Sequence, residues 1–353
     1  MPLLPNPLER FVFFDLNLAP APLFDLFAAA AFRAVLAGLE LGVFDALDQA
    51  PATPAELAPK LAVDARGLAV LLSALAKLGY LRLEGGGGAA ERYRNAPMTV
   101  KWLVKSSPDS IAAGFAFWKM AFNEHWHNLE DSIRTGQPPL NFYAWVEQHP
   151  EASRDFQNWM IAAARIAGPE IVSRVKLPAN ARRLLDVGGG HGAYSAAFLR
   201  RYPELSAVVF DAPRALEAAR GLIAADPMGG RLTVQTGDFL NDSLGSGYDA
   251  VLLFNIVHGF TPEQNTALLG KAAAALNPGG TVVVAEQVES RTAKGAPAAL
   301  AALLGLGYYH LLGGRLYEQE EIAGWLTAAG LGRVKRTNLF RTPGTALIAG
   351  WKG

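Results

Sequence analysis

Hydrophobic positions change their spacing near residue 180. Before it, apolar residues recur every three or four positions, as on helices; after it, short strand-like runs alternate with helical stretches. Residues 26–49 (LFAAAAFRAVLAGLELGVFDALDQ) read as an amphipathic or fully buried helix ending near Gly42. Thr53, with Glu56 three residues on, has capping-box spacing at the head of TPAELAPKL. The segment ARGLAVLLSALAKLGYL predicts a second helix, striped by Leu68, Leu71, Leu72, Leu75 and Leu78 and closed by Gly79. Strand-like runs at 80–83 and 91–94 flank a loop at 85–88. Helix, helix and two-stranded wing describe a winged helix-turn-helix. Residues 1–25, rich in Pro and Phe, predict an irregular arm. Residues 99–180 predict further helices with a high density of aromatic side chains.

From residue 182 the pattern is βα alternation. Strands are predicted at LLDV (184–187), SAVVFD (206–211), RLTVQTGD (231–238), YDAVLLFNIVH (248–258) and TVVVAEQV (281–288). Helices are predicted at 194–202, 213–225, 262–276 and 318–329, with a closing hairpin from 333–338 and 345–351. The fold class is therefore α/β: a doubly wound, Rossmann-like and mostly parallel sheet behind a mostly helical winged-helix region. Domains are expected at 1–105, 106–180 (a helical connector) and 181–353. Ligands of such sheets bind beyond the carboxyl ends of the strands. Asp186, Asp211, Asp238, His258 and Glu286 are placed there by the pattern.

Composition narrows the function classes. The chain has 353 residues, 51% of them hydrophobic, with 32 basic and 32 acidic side chains. A neutral chain is a poor nucleic-acid binder in bulk electrostatic terms. The exposed side of the second helix carries Asp64, Arg66, Ser73 and Lys77, with no cationic cluster for DNA. There are no cysteines, which rules out disulfides, thiolate zinc sites and a cysteine nucleophile. The N-terminal MPLLPNPLERF lacks a basic region followed by an apolar run, and the apolar stretches are too short to span a bilayer. A cytoplasmic protein without membrane attachment is expected.

The candidate chemistry centres on RRLLDVGGGHGAYS (182–195). A buried strand turns sharply into a helix, and glycines there let a ligand lie against bare backbone. Such a turn serves dinucleotides or S-adenosylmethionine (SAM). The glycines at 188, 190 and 192, with Tyr194 and Ser195 following, do not complete the dinucleotide fingerprint. With Asp186 in front, the spacing looks like the first motif of SAM methyltransferases. Asp211 is placed to accept ribose hydroxyls, and Asp238 an adenine amino group, with Phe239 against the ring. Asn255 is the polar residue of the fourth strand. His258 suits a general base for a phenol-like hydroxyl, and Glu286 is placed to orient its imidazole. The aromatic segment 99–180 supplies one wall for a flat, apolar acceptor: Trp118, Phe122, Tyr143, Trp159 and Met160, joined by Tyr309 and His310 from GYYHLLGG. His125 and His127 are two apart and do not read as a chelating pair. No metal site is predicted.

LLDVGGGHG, VVFDAP, GDFL, NIVH followed by TPE, and VVVAEQV occur in one order along the chain. In this the chain resembles the small-molecule O-methyltransferases of the caffeic acid, acetylserotonin and hydroxyneurosporene type, over nearly its full length. The resemblance implies SAM as methyl donor, with S-adenosylhomocysteine as product. It implies that Gly188 and its neighbours, Gly190 among them, hold the cofactor with Asp211, Asp238 and Phe239, and that His258 is the catalytic base, with Glu286 at the separation of the family's first flanking Glu; Asp186 and Asn255 complete the candidate cofactor site. It also implies a homodimer through the N-terminal domain and an aromatic or polyketide-like hydroxyl as acceptor. Three positions depart from the plant members: Gly259–Phe260 replaces Asp-Trp after the base, Phe254 replaces a basic residue, and Leu316 follows GGR where they carry a second Glu. Carbon or nitrogen methylation, or a non-methylating SAM reaction, stays open, as does a SAM-sensing winged-helix regulator.

Overall fold

The computed structural model describes residues 5–85, 91–226, 228–290 and 292–353. The chain forms two compact units, Met1–Ala116 and Phe117–Gly353.

In the first unit, residues 7–15 of the arm expected to be irregular are helical. Asn6 and Glu9 form a capping box over α1 (Pro7–Arg10), which runs into a π-helical turn, Phe11–Asp15. The cap satisfies two amide donors that a helix end leaves unpaired, and this outweighs the neighbouring prolines. The helix expected over 26–49 is two helices, α2 (Leu23–Glu40) and α3 (Val43–Gln49), separated at Gly42 with φ of +75°. Thr53 and Glu56 close the expected capping box on α4 (Pro54–Leu61). Asp64 caps α5 (Ala65–Lys77), whose Leu68, Leu72 and Leu75 are buried. Each contributes about 1.5–3 kcal/mol by burial, against Val35, Val43, Phe44 and Leu57. The wing is an antiparallel pair, β1 (Leu81–Glu84) and β2 (Arg92–Asn95), with Leu81 opposite Asn95. It lies one residue later than the pattern placed it, and Gly86–Gly88 of the expected loop lie outside the described residues. Helix α6 (Pro97–Trp102) follows, and α7 (Ala112–Glu124) carries the chain into the second unit.

The second unit continues with α8 (Leu129–Thr135), α9 (Phe142–Gln148) and α10 (Pro150–Arg174). The expected break at 180 is not a boundary between compact units. The later half of α10 buries Ala164, Ala167 and Ile171 in the same core as Leu184, Phe198 and Leu199 of the α/β segment. That segment runs β3 (Arg183–Val187), α11 (Ala193–Arg201), β4 (Ser206–Asp211), α12 (Glu217–Ala225), β5 (Leu232–Thr236), β6 (Tyr248–Phe254), α13 (Pro262–Ala275) and β7 (Leu276–Glu289). It ends with α14 (Ala296–Leu312), β8 (Tyr317–Glu318), α15 (Gln319–Ala328), β9 (Leu331–Asn338) and β10 (Thr345–Lys352). The sheet order is β5-β4-β3-β6-β7-β10-β9, with β8 paired to β7. Strands β5 to β7 run parallel, and β10 pairs antiparallel with both β7 and β9.

Alternation along β3 shows why the sheet is buried on both faces. Leu184 enters one core, with Val209, Leu252 and Val283; Leu185 and Val187 enter the other, with Val251, Leu253, Val282 and Val284. The strand order reverses beside β3, which pairs with β4 on one side and β6 on the other. This switch point opens a crevice at the strand ends. Among the described residues no single helix is long and apolar enough to cross a membrane.

Candidate active site

The glycine turn after β3 is built as its spacing predicts. Gly188, Gly190 and Gly192 have φ of +66°, +41° and +68°, a region side chains disfavour. The Gly188 amide donates to the Phe210 carbonyl at 2.8 Å, so the turn is locked to β4. Asp211, at the end of β4, accepts from the Gly190 amide at 2.9 Å with one oxygen and from the Ala212 amide at 2.7 Å with the other. Asp186 is buried beneath the turn and accepts from the Ser195 hydroxyl at 2.7 Å. Its other oxygen is buried without a partner. Burial pushes Asp186 up to about 7, with the Asp211 charge adding to the effect, while Ser195 pulls against it. Burial likewise pushes Asp211 up to about 6, opposed by its two amide bonds.

These groups line a cavity of about 290 Å³ at the switch point. Asp186, Gly188, Gly190, Asp211, Phe239 and Asn255 are all on its wall, together with Tyr143 and Met160. Asn255 adopts φ of +56° where the chain leaves β6, and its amide donates to the Ala285 carbonyl at 2.8 Å. Asp238 is not on the wall. Its carboxylate accepts from the Leu240 amide at 2.9 Å and the Asn241 side chain at 2.7 Å, and these bonds hold it below its ordinary range. It caps its own turn, two residues beyond the end of β5.

Other wall residues carry no motif. Ser153, Phe156, Gln157 and Met160 of α10 all face the cavity. Their spacing of three, four and seven is a helix stripe, and that was the available signal. Trp159 falls a third of a turn away and packs instead in an aromatic cluster with Phe117, Phe142 and Phe156. Gln157 carries a buried oxygen without a partner. Glu147, His191, Tyr194, Arg214 and Phe260 are further polar and aromatic groups on the wall that the sequence pattern did not assign to the site.

His258 and Glu286 meet as expected, by a different local route. Strand β6 stops at Phe254, and His258 lies on a 3-10 turn, Val257–Gly259. Phe254 pairs with Ala285, so β7 runs on past the end of β6, and Glu286 is the first side chain beyond it. One Glu286 oxygen accepts from the Ile256 and Val257 amides at 2.5 and 2.8 Å; the other bonds His258 Nδ1 at 2.7 Å. Both residues are buried. The His258 carbonyl accepts from the Arg315 amide at 3.0 Å. Neither His258 nor Glu286 is part of the cavity wall, whereas Ile256 and Phe260, on either side of the His258 turn, are.

The remaining acceptor candidates are placed elsewhere. His310 is buried, with Nδ1 bonded to the Ser132 hydroxyl at 2.5 Å and Nε2 to the His125 carbonyl at 3.0 Å. Both ring nitrogens are committed, Nδ1 joining α14 to α8 and Nε2 joining it to the residue after α7, which is a structural use. Tyr309 donates to the Ser132 carbonyl at 3.4 Å. Trp118 and Phe122 pack on each other and on Trp126. None of the four lines the cavity. Leu316 is buried against Gly305, so no carboxylate enters from that position. No group of three or more His, Cys, Asp or Glu among the described residues is arranged to hold a metal ion.

The wall residues fit SAM on three counts. The carboxylates of Asp186 and Asp211 favour a cationic ligand, bare backbone at Gly188–Gly190 admits close approach, and the unpaired Asp186 and Gln157 oxygens are acceptors for donors on the ligand. Residues 126–332 match the model of the O-methyltransferase domain, and residues 25–105 that of the O-methyltransferase dimerisation domain. A 3-hydroxy-5-methyl-1-naphthoate 3-O-methyltransferase of Streptomyces sahachiroi is 32% identical over 91% of each chain. An L-tyrosine C(3)-methyltransferase of Streptomyces lavendulae is 27% identical over 86% of this chain and 84% of its own. The crystal structure of human N-acetylserotonin methyltransferase in complex with SAM shares the fold, with a TM-score of 0.82 at 23% identity over 94% of this chain and 97% of that one. The protein is a methyltransferase, its cofactor is SAM, and the chain belongs to the SAM-dependent O-methyltransferase family.

Proposed function

We propose that this methyltransferase acts on a hydroxyl of a small aromatic or polyketide-like compound, with His258 as general base. The observation that carries this reading is the 2.7 Å bond between His258 Nδ1 and Glu286. A carboxylate at Nδ1 holds the proton there, so Nε2 keeps its lone pair and accepts the hydroxyl proton. Once protonated, the imidazolium is stabilised by the Glu286 charge. Glu286 is itself fixed by two backbone amides, so the base sits in one orientation. SAM, when bound, would supply a methyl group already activated on a sulfonium, with a neutral thioether as the leaving group. Asp186, Asp211, Asn255 and the glycine turn are the residues that would hold the cofactor, with Phe239 against its ring. Tyr143 and Met160 would face the acceptor. The apolar character of the wall, with Phe156, Phe254, Ile256 and Phe260, favours a flat and weakly charged substrate. The dimerisation domain supports a homodimer.

The test is methyl transfer from labelled SAM to a panel of hydroxylated naphthoates and benzoates, beginning with 3-hydroxy-5-methyl-1-naphthoate. Product mass and fragmentation locate the methyl group on oxygen. A product methylated on ring carbon would overturn the reading in favour of the chemistry named for the tyrosine C(3) relative. In His258→Ala the rate should fall by about 10²–10⁴. Retention of the full rate would remove His258 from the mechanism.

A further inference from the structure

The His258 ring has a second neighbour that the dyad does not explain. The Tyr308 ring, from α14, lies parallel to the imidazole, with centroids 3.8 Å apart and an angle of 9° between planes. The Tyr308 hydroxyl donates to Gln287 Oε1 at 2.8 Å, so the ring is tied to β7 at the residue after Glu286. The imidazole is thus held on two independent sides. Glu286 fixes its Nδ1 edge, and Tyr308 fixes the plane in which Nε2 lies. Both restraints trace to adjacent residues of one strand.

We propose that Tyr308, tethered by Gln287, is a positioning residue that sets the plane of the His258 ring and strengthens it as a base. A cation over the face of a tyrosine is attracted by the ring quadrupole, and the attraction grows where water is excluded. The neutral imidazole gains less from that face than the imidazolium does, so the stack favours the protonated form. The titratable groups facing the imidazole are Glu286 from β7 and Tyr308 from α14, with Tyr143 within electrostatic reach of both. Arg315, whose amide meets the His258 carbonyl, spends its guanidinium on Glu321. The charge that responds to His258 is therefore that of Glu286, and the Tyr308 ring adds to it without titrating in the neutral range. The role assigned to Tyr308 rests on His258 as base; its effect on the imidazole does not.

The experiment reads the imidazole directly. Full-length protein, saturated with S-adenosylhomocysteine and labelled at histidine Cε1, is titrated by NMR, with the His258 resonance assigned by its loss in His258→Asn. Tyr308→Leu should lower the His258 pKa by about one unit. Tyr308→Phe keeps the ring and should restore most of that shift, and Gln287→Ala should fall between the two. If Tyr308→Leu does not fold, Tyr308→Met serves as the ring-removing variant. A His258 pKa unchanged in a folded ring-removing variant overturns the proposal. So does a drop of equal size in Tyr308→Phe, since that would assign the effect to the hydroxyl. Should His258→Ala keep its methyl-transfer rate while the titration follows the Tyr308 ring, the base reading fails and the effect on the imidazole stands.

Discussion

Glu286 closes the turn that carries His258: one of its oxygens takes the Ile256 and Val257 amides, and the other takes His258 Nδ1 at 2.7 Å. A single carboxylate thus shapes the backbone and orients the imidazole. These two functions separate on mutation. Glu286→Gln keeps an acceptor oxygen but removes the charge, and should lower kcat by about 10²-fold with SAM affinity within about twofold. Glu286→Ala also leaves two buried amides without an acceptor, and should cost a further 1–3 kcal/mol or so in stability. Steady-state kinetics and thermal melts of the two variants check this. Equal melting temperatures for both would show that the amides do not depend on Glu286.

The carboxylates of the cavity give SAM binding a pH dependence with a definite sign. Asp186 and Asp211 are raised to about 7 and about 6, chiefly by burial. A folded-state pKa above the unfolded value contributes stability that is present below the unfolded value and lost as pH rises through the folded one. The cofactor-free protein should therefore lose stability from about pH 4 to 8 through these two groups, by an amount on the order of a few kcal/mol. A cation favours the ionised carboxylates, so SAM affinity should strengthen as pH rises from 5 to 7.5. Calorimetric titration across that range checks the slope. Asp186→Asn should flatten both profiles, and a slope unchanged in that variant would assign the dependence elsewhere.

Most of what positions the site can be read along the chain because it is local. The capping box at Thr53, the βα alternation from 182, the glycine turn and the strand-end Asp211 all depend on neighbours within a few residues. The parts that were not legible depend on distant partners. Helix α14 is apolar on nearly every side and gives no stripe to find. His310 stands among aromatics in a segment that looks like a pocket wall, yet its ring is consumed by Ser132, 178 positions away. Asp238 fails in the opposite sense, since its local turn takes the carboxylate that a ligand was expected to take. Gln157 has no motif at all and is found only once α10 is known to turn its Ser153–Met160 stripe inward.

The structural use of His310 has its own consequence. Its removal leaves the Ser132 hydroxyl unpaired in a buried setting beside Trp126, and leaves the His125 carbonyl with only the Asn128 amide. His310→Ala should destabilise the protein by roughly 3–5 kcal/mol from the lost bonds and the space left behind. SAM affinity should stay within about twofold, because neither the histidine nor its partners Ser132, His125 and Trp126 line the cavity. Ser132→Ala, which deletes one bond and little volume, should cost about 1–2 kcal/mol. Denaturant unfolding and calorimetry separate the two effects. A large loss of SAM binding in His310→Ala, with the melting temperature unchanged, would return the residue to the site.

Gly314 tests how tightly the base must be placed. A Cβ built on this residue would lie 1.8 Å from the His258 carbonyl oxygen and 2.8 Å from its carbon, so the obstruction is backbone rather than a movable side chain. The next residue, Arg315, donates its amide to that same carbonyl at 3.0 Å. Gly314→Ala must therefore push the Val257–Gly259 turn away from the segment after α14, by about 1 Å or more to reach ordinary contact. A displacement of that size at a reacting group costs about 10²-fold in rate. The glycine turn of β3 and Asp211 of β4 do not touch Gly314, so cofactor affinity should survive within about threefold. The expected signature is a fall in kcat with SAM affinity largely kept, and a lowered melting temperature from the strained contact. Full activity in Gly314→Ala would mean that the turn absorbs the methyl group without moving the imidazole, and that the 2.7 Å bond to Glu286 is not the constraint on the base that its geometry implies.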